Sequence, residues 1–179
     1  MIITIKQYYT IQELQKKYKD DVDTLGMEII KVFKGEDLSK ISLEESEVLL
    51  NDITAQLTNV KELPLVHRFK QDGVSFGFIP NLEDISVGEF IDLDSLMKQD
   101  PLQLEQIMSV LYRPVKKSWF SKYSIEDYTG TDKYNKIFLN TDFRIILGAI
   151  FFFAILKESL LNHLDTYTPQ MNTLKKKMV

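Results

Sequence analysis

The residue types that most enzymes use for acid–base and nucleophilic chemistry are scarce in this sequence. Its 179 residues include two histidines, His67 and His163, and no cysteine. A general base needs an orienting carboxylate and a nearby nucleophile, and no local signature supplies either beside these histidines. We therefore expect structural roles for both. Disulfides, thiolate metal sites and cysteine nucleophiles are excluded by composition.

Acidic residues cluster in two segments, 20–23 and 83–94, and invite comparison with divalent cation sites. The second segment lacks the glycine and the terminal bidentate glutamate of an EF-hand loop. Acidic residues in the first turn of a helix are also favoured by the helix dipole. Gly73, Gly77 and Gly88 match neither nucleotide-binding glycine motif. We therefore expect no metal, no cofactor and no enzymatic activity.

A basic stretch interleaved with aromatic residues contains Arg113, Lys116, Lys117 and Lys122. Such a surface can contact phosphates and stack on bases, which is one possible function for this segment. The alternatives are a solvated loop with its aromatic residues anchored in the core, or an electrostatic contact with an acidic partner. The formal net charge of −4 favours these alternatives over nucleic acid.

Helical spacing dominates the first sixty residues. The capping-box spacing of Thr10 with Glu13 predicts one helix start, and that of Ser42 with Glu45 predicts another, for a helix through about residue 57. A helix over about 20–34 lies between them, with Gly35 as its stop. Residues 2–5 are β-branched and predict a short strand.

The period changes from helical to extended after Pro64. Asp72-Gly73 between two aromatic and β-branched runs predicts a β-hairpin. Ser86 with Glu89 forms a further capping box, and Asp100-Pro101 predicts the start of a helix that ends before Arg113-Pro114. We expect residues 114–130 to be irregular, a helix over 132–139, and a long helix from Asn140 or Thr141 to about His163.

These elements predict a mainly α fold with a minor β element: short amphipathic helices, one β-hairpin and a long Phe-rich C-terminal helix. The hydrophobic fraction of 44% and the charged fraction of 27% are typical of soluble globular domains. We expect an N-terminal helical region at 1–62, a hairpin-plus-helices region at 63–168 and a basic flexible tail at 169–179.

The apolar run 145–156 in the last predicted helix would span about 18 Å, whereas a bilayer core needs about 20 apolar residues. We therefore expect no membrane association. A helix that is apolar all round must be covered by its own chain or by a neighbour. Both possibilities remain open. For the second, the expected contact residues are Tyr112, Trp119, Phe120, Phe143, Phe151 and Phe152.

Four stretches carry a resemblance to a known group of proteins. They read IIKVFKGE at 29–36, ISLEESE at 41–47, GFIPNLEDISVGEFIDL at 77–93 and LYRPV at 111–115, and an Ile- and Phe-rich helix follows. In the order of its elements over most of 25–160, the chain resembles small structural or assembly proteins from the tail and connector modules of tailed bacteriophages, especially crAss-like phages of Bacteroides. The resemblance implies a non-enzymatic role in building the virion.

The expected function is therefore that of a virion structural protein. It would be present in several copies as a homo-oligomer in the portal–tail (connector or ring) region or packed with the particle, with portal or tail proteins as partners. Its expected location is the virion, and the host cytoplasm during assembly. One alternative is a tail assembly chaperone that leaves the particle. Another is a nucleic-acid-binding accessory protein that uses 113–122 and the basic residues 175–177.

Overall fold

A computed structural model describes residues 1–60, 63–81, 85–119 and 122–155, with the backbone alone at 118 and 119. The chain is mostly helical with a small antiparallel sheet, which confirms the predicted fold class. The elements are α1 (Ile5–Lys17), α2 (Val22–Lys34), α3 (Leu43–Thr58), β1 (Arg68–Gln71), β2 (Val74–Phe78), α4 (Val87–Leu96), α5 (Leu104–Leu111), β3 (Tyr112–Trp119), β4 (Lys122–Ile125), α6 (Asn135–Phe138) and α7, helical over 143–155.

Capping boxes set three of the helix starts. Those at Ser42 and Ser86 open α3 and α4, as predicted. The prediction of a box at Thr10 is wrong, because α1 begins at Ile5 and its cap is Thr4, whose hydroxyl accepts from the backbone of Gln7 at 3.2 Å. The predicted strand at 2–5 is correspondingly reduced to a single bridge between Thr4 and Asp142.

The start of α5 depends on a residue far away in the sequence. The proline predicts a helix that starts at Pro101, but the helix begins at Leu104. Its first backbone N–H, on Leu104, donates to the hydroxyl of Tyr9 on α1 at 2.6 Å. The same hydroxyl donates to the carboxylate of Glu105 at 2.6 Å. The cap therefore comes from packing between α1 and α5.

The connection into α7 also differs from the prediction. The helix begins at 143, and its first turn is capped by Asp142 rather than by Asn140 or Thr141. The side chain of Asp142 accepts from the backbone N–H of Arg144 at 3.0 Å and from its guanidinium at 2.6 Å. The later part of the predicted helix, including His163, and the predicted tail at 169–179 lie outside the described residues.

The sheet has four antiparallel strands in the order β1-β2-β3-β4. The β1–β2 hairpin turns at Asp72-Gly73 as predicted, with Gly73 at φ +80°. The prediction that 114–130 is irregular is wrong, because β3 pairs with β2 and then with β4. An irregularity between Val115 and Lys117 interrupts the alternation of side chains that identifies a strand in a sequence.

The core includes residues from both sides of the predicted boundary near residue 62. Ile3 and Ile53 belong to it together with Phe76, Phe138 and Phe143. The first segment of the chain is tied to the segment before α7 by backbone hydrogen bonds, including Ile5 N–H to the carbonyl of Thr141 at 2.9 Å. These hydrogen bonds hold the first residues of the chain against the segment that leads into α7.

Close approach of backbones at Gly148 gives a test of this packing. A Cβ at Gly148 would lie 2.5 Å from the carbonyl oxygen of Pro64, whereas a Cβ at Gly88 in α4 meets its nearest atom at 4.0 Å. We expect Gly148→Ala to lower the free energy of unfolding by about 1–3 kcal/mol through overpacking. Gly88→Ala, the matched control, should raise it by up to about 1 kcal/mol. Urea unfolding measures both, and equal stability of the two variants would contradict this packing.

Candidate protein-binding surfaces

Two of the aromatic residues expected at a subunit contact belong to the core. Tyr112 and Phe143 have no exposed surface. The hydroxyl of Tyr112 donates to the carbonyl of Val66 at 2.9 Å, and the ring of Phe143 stacks on Tyr8 with centroids 4.8 Å apart. This burial corrects the expectation for both residues, because a side chain enclosed by its own chain offers no area to a partner.

The other expected contact residues have different positions. Phe151 is half-buried. Phe152 is 37% exposed, and its ring centroid lies 5.9 Å from that of Phe78. Trp119 ends β3, where the structure describes its backbone only, and Phe120 lies outside the described residues. The described part of α7 is therefore mainly covered by its own chain, whereas the side chain of Phe152 is partly exposed.

Arg113, one of the four residues named for the nucleic-acid alternative, is not available to a nucleic acid. It is 8% exposed and forms an ion pair with Glu89 on α4. Glu89 also accepts from the backbone N–H of Ser86 at 2.7 Å, so the same capping box that starts α4 aims this carboxylate at the sheet. The guanidinium lies 5.8 Å from the ring centroid of Tyr128. Arg113 therefore joins α4 to β3.

The charge of Glu89 is held by its hydrogen bonds. Burial alone would raise the pKa of this carboxyl group, but hydrogen bonds from Ser86 and Arg113 outweigh burial and lower the pKa below its ordinary value of 4.5. Beside this pair, burial and the hydrogen bond to Asp92 raise the pKa of Tyr128. The carboxylate of Glu89 is therefore ionised at neutral pH although it is buried.

Three of the predicted basic residues are exposed. Lys116, Lys117 and Lys122 all reach solvent, and Nζ of Lys116 lies 3.1 Å from a carboxylate oxygen of Asp127. Two further basic residues, Arg68 and Lys70, are not among the predicted ones. Their spacing of two in the predicted strand was the available signal, because it places both on one face of the sheet.

The sheet brings these basic residues together. A cleft of about 530 Å³ is lined by Arg68, Lys70 and Lys116, and an adjoining cleft of about 520 Å³ is lined by Arg68 and Lys122. We call the surface formed by Arg68, Lys70, Lys116 and Lys122 the basic sheet surface. The guanidinium of Arg68 lies over the ring of Tyr123, 5.4 Å from its centroid. The Tyr123 ring, on which a nucleic-acid base would stack, is therefore already in contact with the Arg68 guanidinium.

A larger depression lies between the first residues, α2 and α3, and we call it the N-terminal groove. Its volume is about 800 Å³. Its apolar lining consists of Met1, Ile2, Phe33, Val48 and Leu49, and its polar lining consists of Gln7, Lys34, Glu44, Glu45 and Asp52. Ile2 is 60% exposed and Val48 is 64% exposed.

Local structure explains why these apolar residues face solvent. Ile3 is fully buried, so the alternation of an extended segment turns Ile2 outward. The carbonyl of Met1 accepts from the side-chain amide of Gln56 at 3.0 Å, which fixes the first residues against α3. On α3, a spacing of four residues places Val48 beside the acidic residues Glu44 and Asp52. The groove is thus apolar at its base and acidic along its α3 side.

The described residues contain no group of three or more His, Cys, Asp or Glu side chains that could hold a metal ion. In the same part of the chain, we find no helix that is long and apolar enough to cross a membrane. Comparisons with protein-family models, with curated proteins and with solved structures find no match to this chain.

The buried ion pair gives a prediction about stability. We expect Arg113→Met to lower the free energy of unfolding by about 3–5 kcal/mol, because it leaves the Glu89 carboxylate buried without its cation. Lys116→Met, on the same strand but at the exposed pair with Asp127, is the control and should cost at most about 1 kcal/mol. Urea unfolding at pH 7 measures both. A small loss for Arg113→Met would contradict the assigned pairing.

The lowered pKa of Glu89 predicts a pH dependence. Because this pKa is lower in the folded chain than in the unfolded chain, ionised Glu89 stabilises the fold above about pH 4.5. That contribution is lost as the pH falls through the folded-state pKa. We expect the difference in unfolding free energy between the wild type and Glu89→Gln to be constant near neutral pH and to shrink below about pH 4.5. A difference that does not change with pH would show that Glu89 is not held ionised.

Proposed function

We propose that this chain is a non-enzymatic structural protein of a tailed-bacteriophage virion, present in several copies in the portal–tail region. The observation that carries the proposal is the N-terminal groove, whose exposed apolar residues have the character of a protein contact. The phage assignment is supported by the resemblance of the segments at 29–36, 41–47, 77–93 and 111–115. The occupant that we propose for the groove is a second copy of this chain.

An exposed apolar groove favours protein contact for energetic reasons. Removing apolar surface from water gains about 25 cal/mol per Å². Val48 and Ile2 each expose more than half of their surface, so covering them would contribute directly to association. The acidic side chains on α3 would repel a phosphate backbone, and beside an apolar base they select a partner with basic residues.

The groove gives a direct test of association. We expect the native mass of the wild type, measured by light scattering, to rise with concentration to that of a discrete oligomer. Val48→Gln should remain monomeric at the same concentrations, because it replaces apolar surface in the groove by a polar side chain without changing the charge. Ile91→Gln is the matched control, since Ile91 is 59% exposed on α4 and does not line the groove.

The control variant should associate like the wild type. A wild type that is monomeric at every concentration would contradict multi-copy assembly. So would equal association of all three proteins, because the groove would then take no part.

Location in the particle separates a structural protein from an assembly chaperone. We expect mass spectrometry of purified particles of the phage that encodes this chain to detect it in several copies. A chaperone would instead be found in infected cells and missing from the particles. That second result would overturn the structural role even if the groove binds protein.

A further inference from the structure

Two parts of the chain each contain charged residues of one sign only, although the formal net charge of the whole chain is −4. The four strands contain six basic residues and no acidic residue, and α3 contains four acidic residues and no basic residue. The basic residues are Arg68, Lys70, Arg113, Lys116, Lys117 and Lys122, and the acidic residues are Glu44, Glu45, Glu47 and Asp52.

These two parts belong to different regions of the fold. The helix α3 packs on α2, whereas β3 packs on α5. Each part has ion pairs of its own. Asp52 lies 3.6 Å from the terminal amine of Met1, and Lys116 pairs with Asp127 on the loop after β4. These ion pairs do not join α3 to the strands. The acidic helix of one copy can therefore attract the basic strands of another copy.

We infer that the basic sheet surface of one copy docks into the N-terminal groove of the next copy. This inference rests on the multi-copy part of the proposed function and names the two surfaces involved. The acidic α3 side of the groove faces Lys70 and Lys122 of the neighbour in this contact. The half-buried residue Val115, which lines the basic cleft, supplies apolar area opposite Val48.

A contact across a single kind of surface, groove against groove or sheet against sheet, would make like charges face each other. The contact therefore joins the two different surfaces of neighbouring copies, and it runs head-to-tail wherever it is not reciprocated within one pair. A head-to-tail contact leaves one surface of each kind open at the ends of every dimer. It therefore continues until it closes into a ring or extends as a filament.

The observations favour a second copy over a nucleic acid as the occupant of the basic sheet surface. The ring of Tyr123 already contacts Arg68, and Arg113 is buried against Glu89. Both features remove groups that would otherwise bind bases or phosphates. The acidic and apolar groove, in contrast, matches the basic and partly apolar cleft in both charge and composition.

Charge reversal tests the inference. The first variant, Lys70→Glu with Lys122→Glu, reverses the charge at two of the four positions of the basic sheet surface. The second variant, Glu44→Lys with Glu47→Lys, reverses the charge at two of the four acidic positions of α3. Each variant alone should associate at least about tenfold more weakly than the wild type, because like charges then meet at the contact. An equimolar mixture of the two should regain the wild-type mass, because opposite charges meet again.

Controls follow from the same chain. Lys16→Glu with Lys19→Glu changes the net charge as much as the first variant does, but at exposed sites in and just after the last turn of α1, and it should associate like the wild type. Circular dichroism should show the same helix content for all four proteins. Association of the wild type should weaken as salt rises from about 0.05 to 0.5 M, because salt screens exposed charges.

Three results would overturn the inference. The first is a mixture of variants that stays monomeric. The second is association that is unaffected in both charge variants while Val48→Gln abolishes it, which would leave the proposed function intact. The third is binding of a fluorescent single-stranded oligonucleotide that Lys70→Glu with Lys122→Glu abolishes without changing self-association. That result would assign the basic sheet surface to nucleic acid.

Discussion

Aromatic packing between the sheet and the helices is the constraint on which the rest of the structure depends. The ring of Phe76 on β2 lies 4.8 Å from that of Phe138 on α6, and both are fully buried. Tyr112 lies at the junction of α5 and β3. Its ring centroid is 5.2 Å from that of Phe69 and 5.4 Å from that of Phe78. This packing fills the inner face of the sheet. Because strand side chains alternate, it also turns Arg68 and Lys70 to the outer face.

The same constraint decides which residues remain available to partners. Two of the aromatic side chains that the sequence suggests as contact anchors are used inside the chain, since Tyr112 and Phe143 have no exposed area. The two candidate surfaces are formed instead by basic residues on the sheet and by aliphatic and acidic residues around the N-terminal groove. The proposed role in assembly therefore rests on charge complementarity and aliphatic burial more than on these aromatic residues.

Local signals in the sequence predict local structure well. The capping boxes at Ser42 and Ser86 and the turn at Asp72-Gly73 involve residues at most four positions apart, and the structure confirms all three. Long-range effects were missed for the same reason. The start of α5 depends on Tyr9, 95 positions earlier, and β3 depends on pairing with β2.

The candidate surfaces were only partly predictable. Lys116 and Arg113 are three residues apart and look alike in the sequence, yet one is exposed and the other is buried against Glu89. The partner of Arg113 lies 24 positions away on another element. The groove was missed because it combines the first residues with α2 and α3. Its residues had been predicted only as helical stripes and a short strand.

The proposed contact joins the basic sheet surface of one copy to the N-terminal groove of the next. Zero-length carbodiimide cross-linking of a mixture of ¹⁴N- and ¹⁵N-labelled chains distinguishes this contact from others, because mass spectrometry then separates links between copies from links within one. We expect links of mixed isotope that join Lys70 or Lys122 to Glu44 or Glu47. Associated protein whose links between copies involve neither surface, or that forms no links between copies, would contradict the contact.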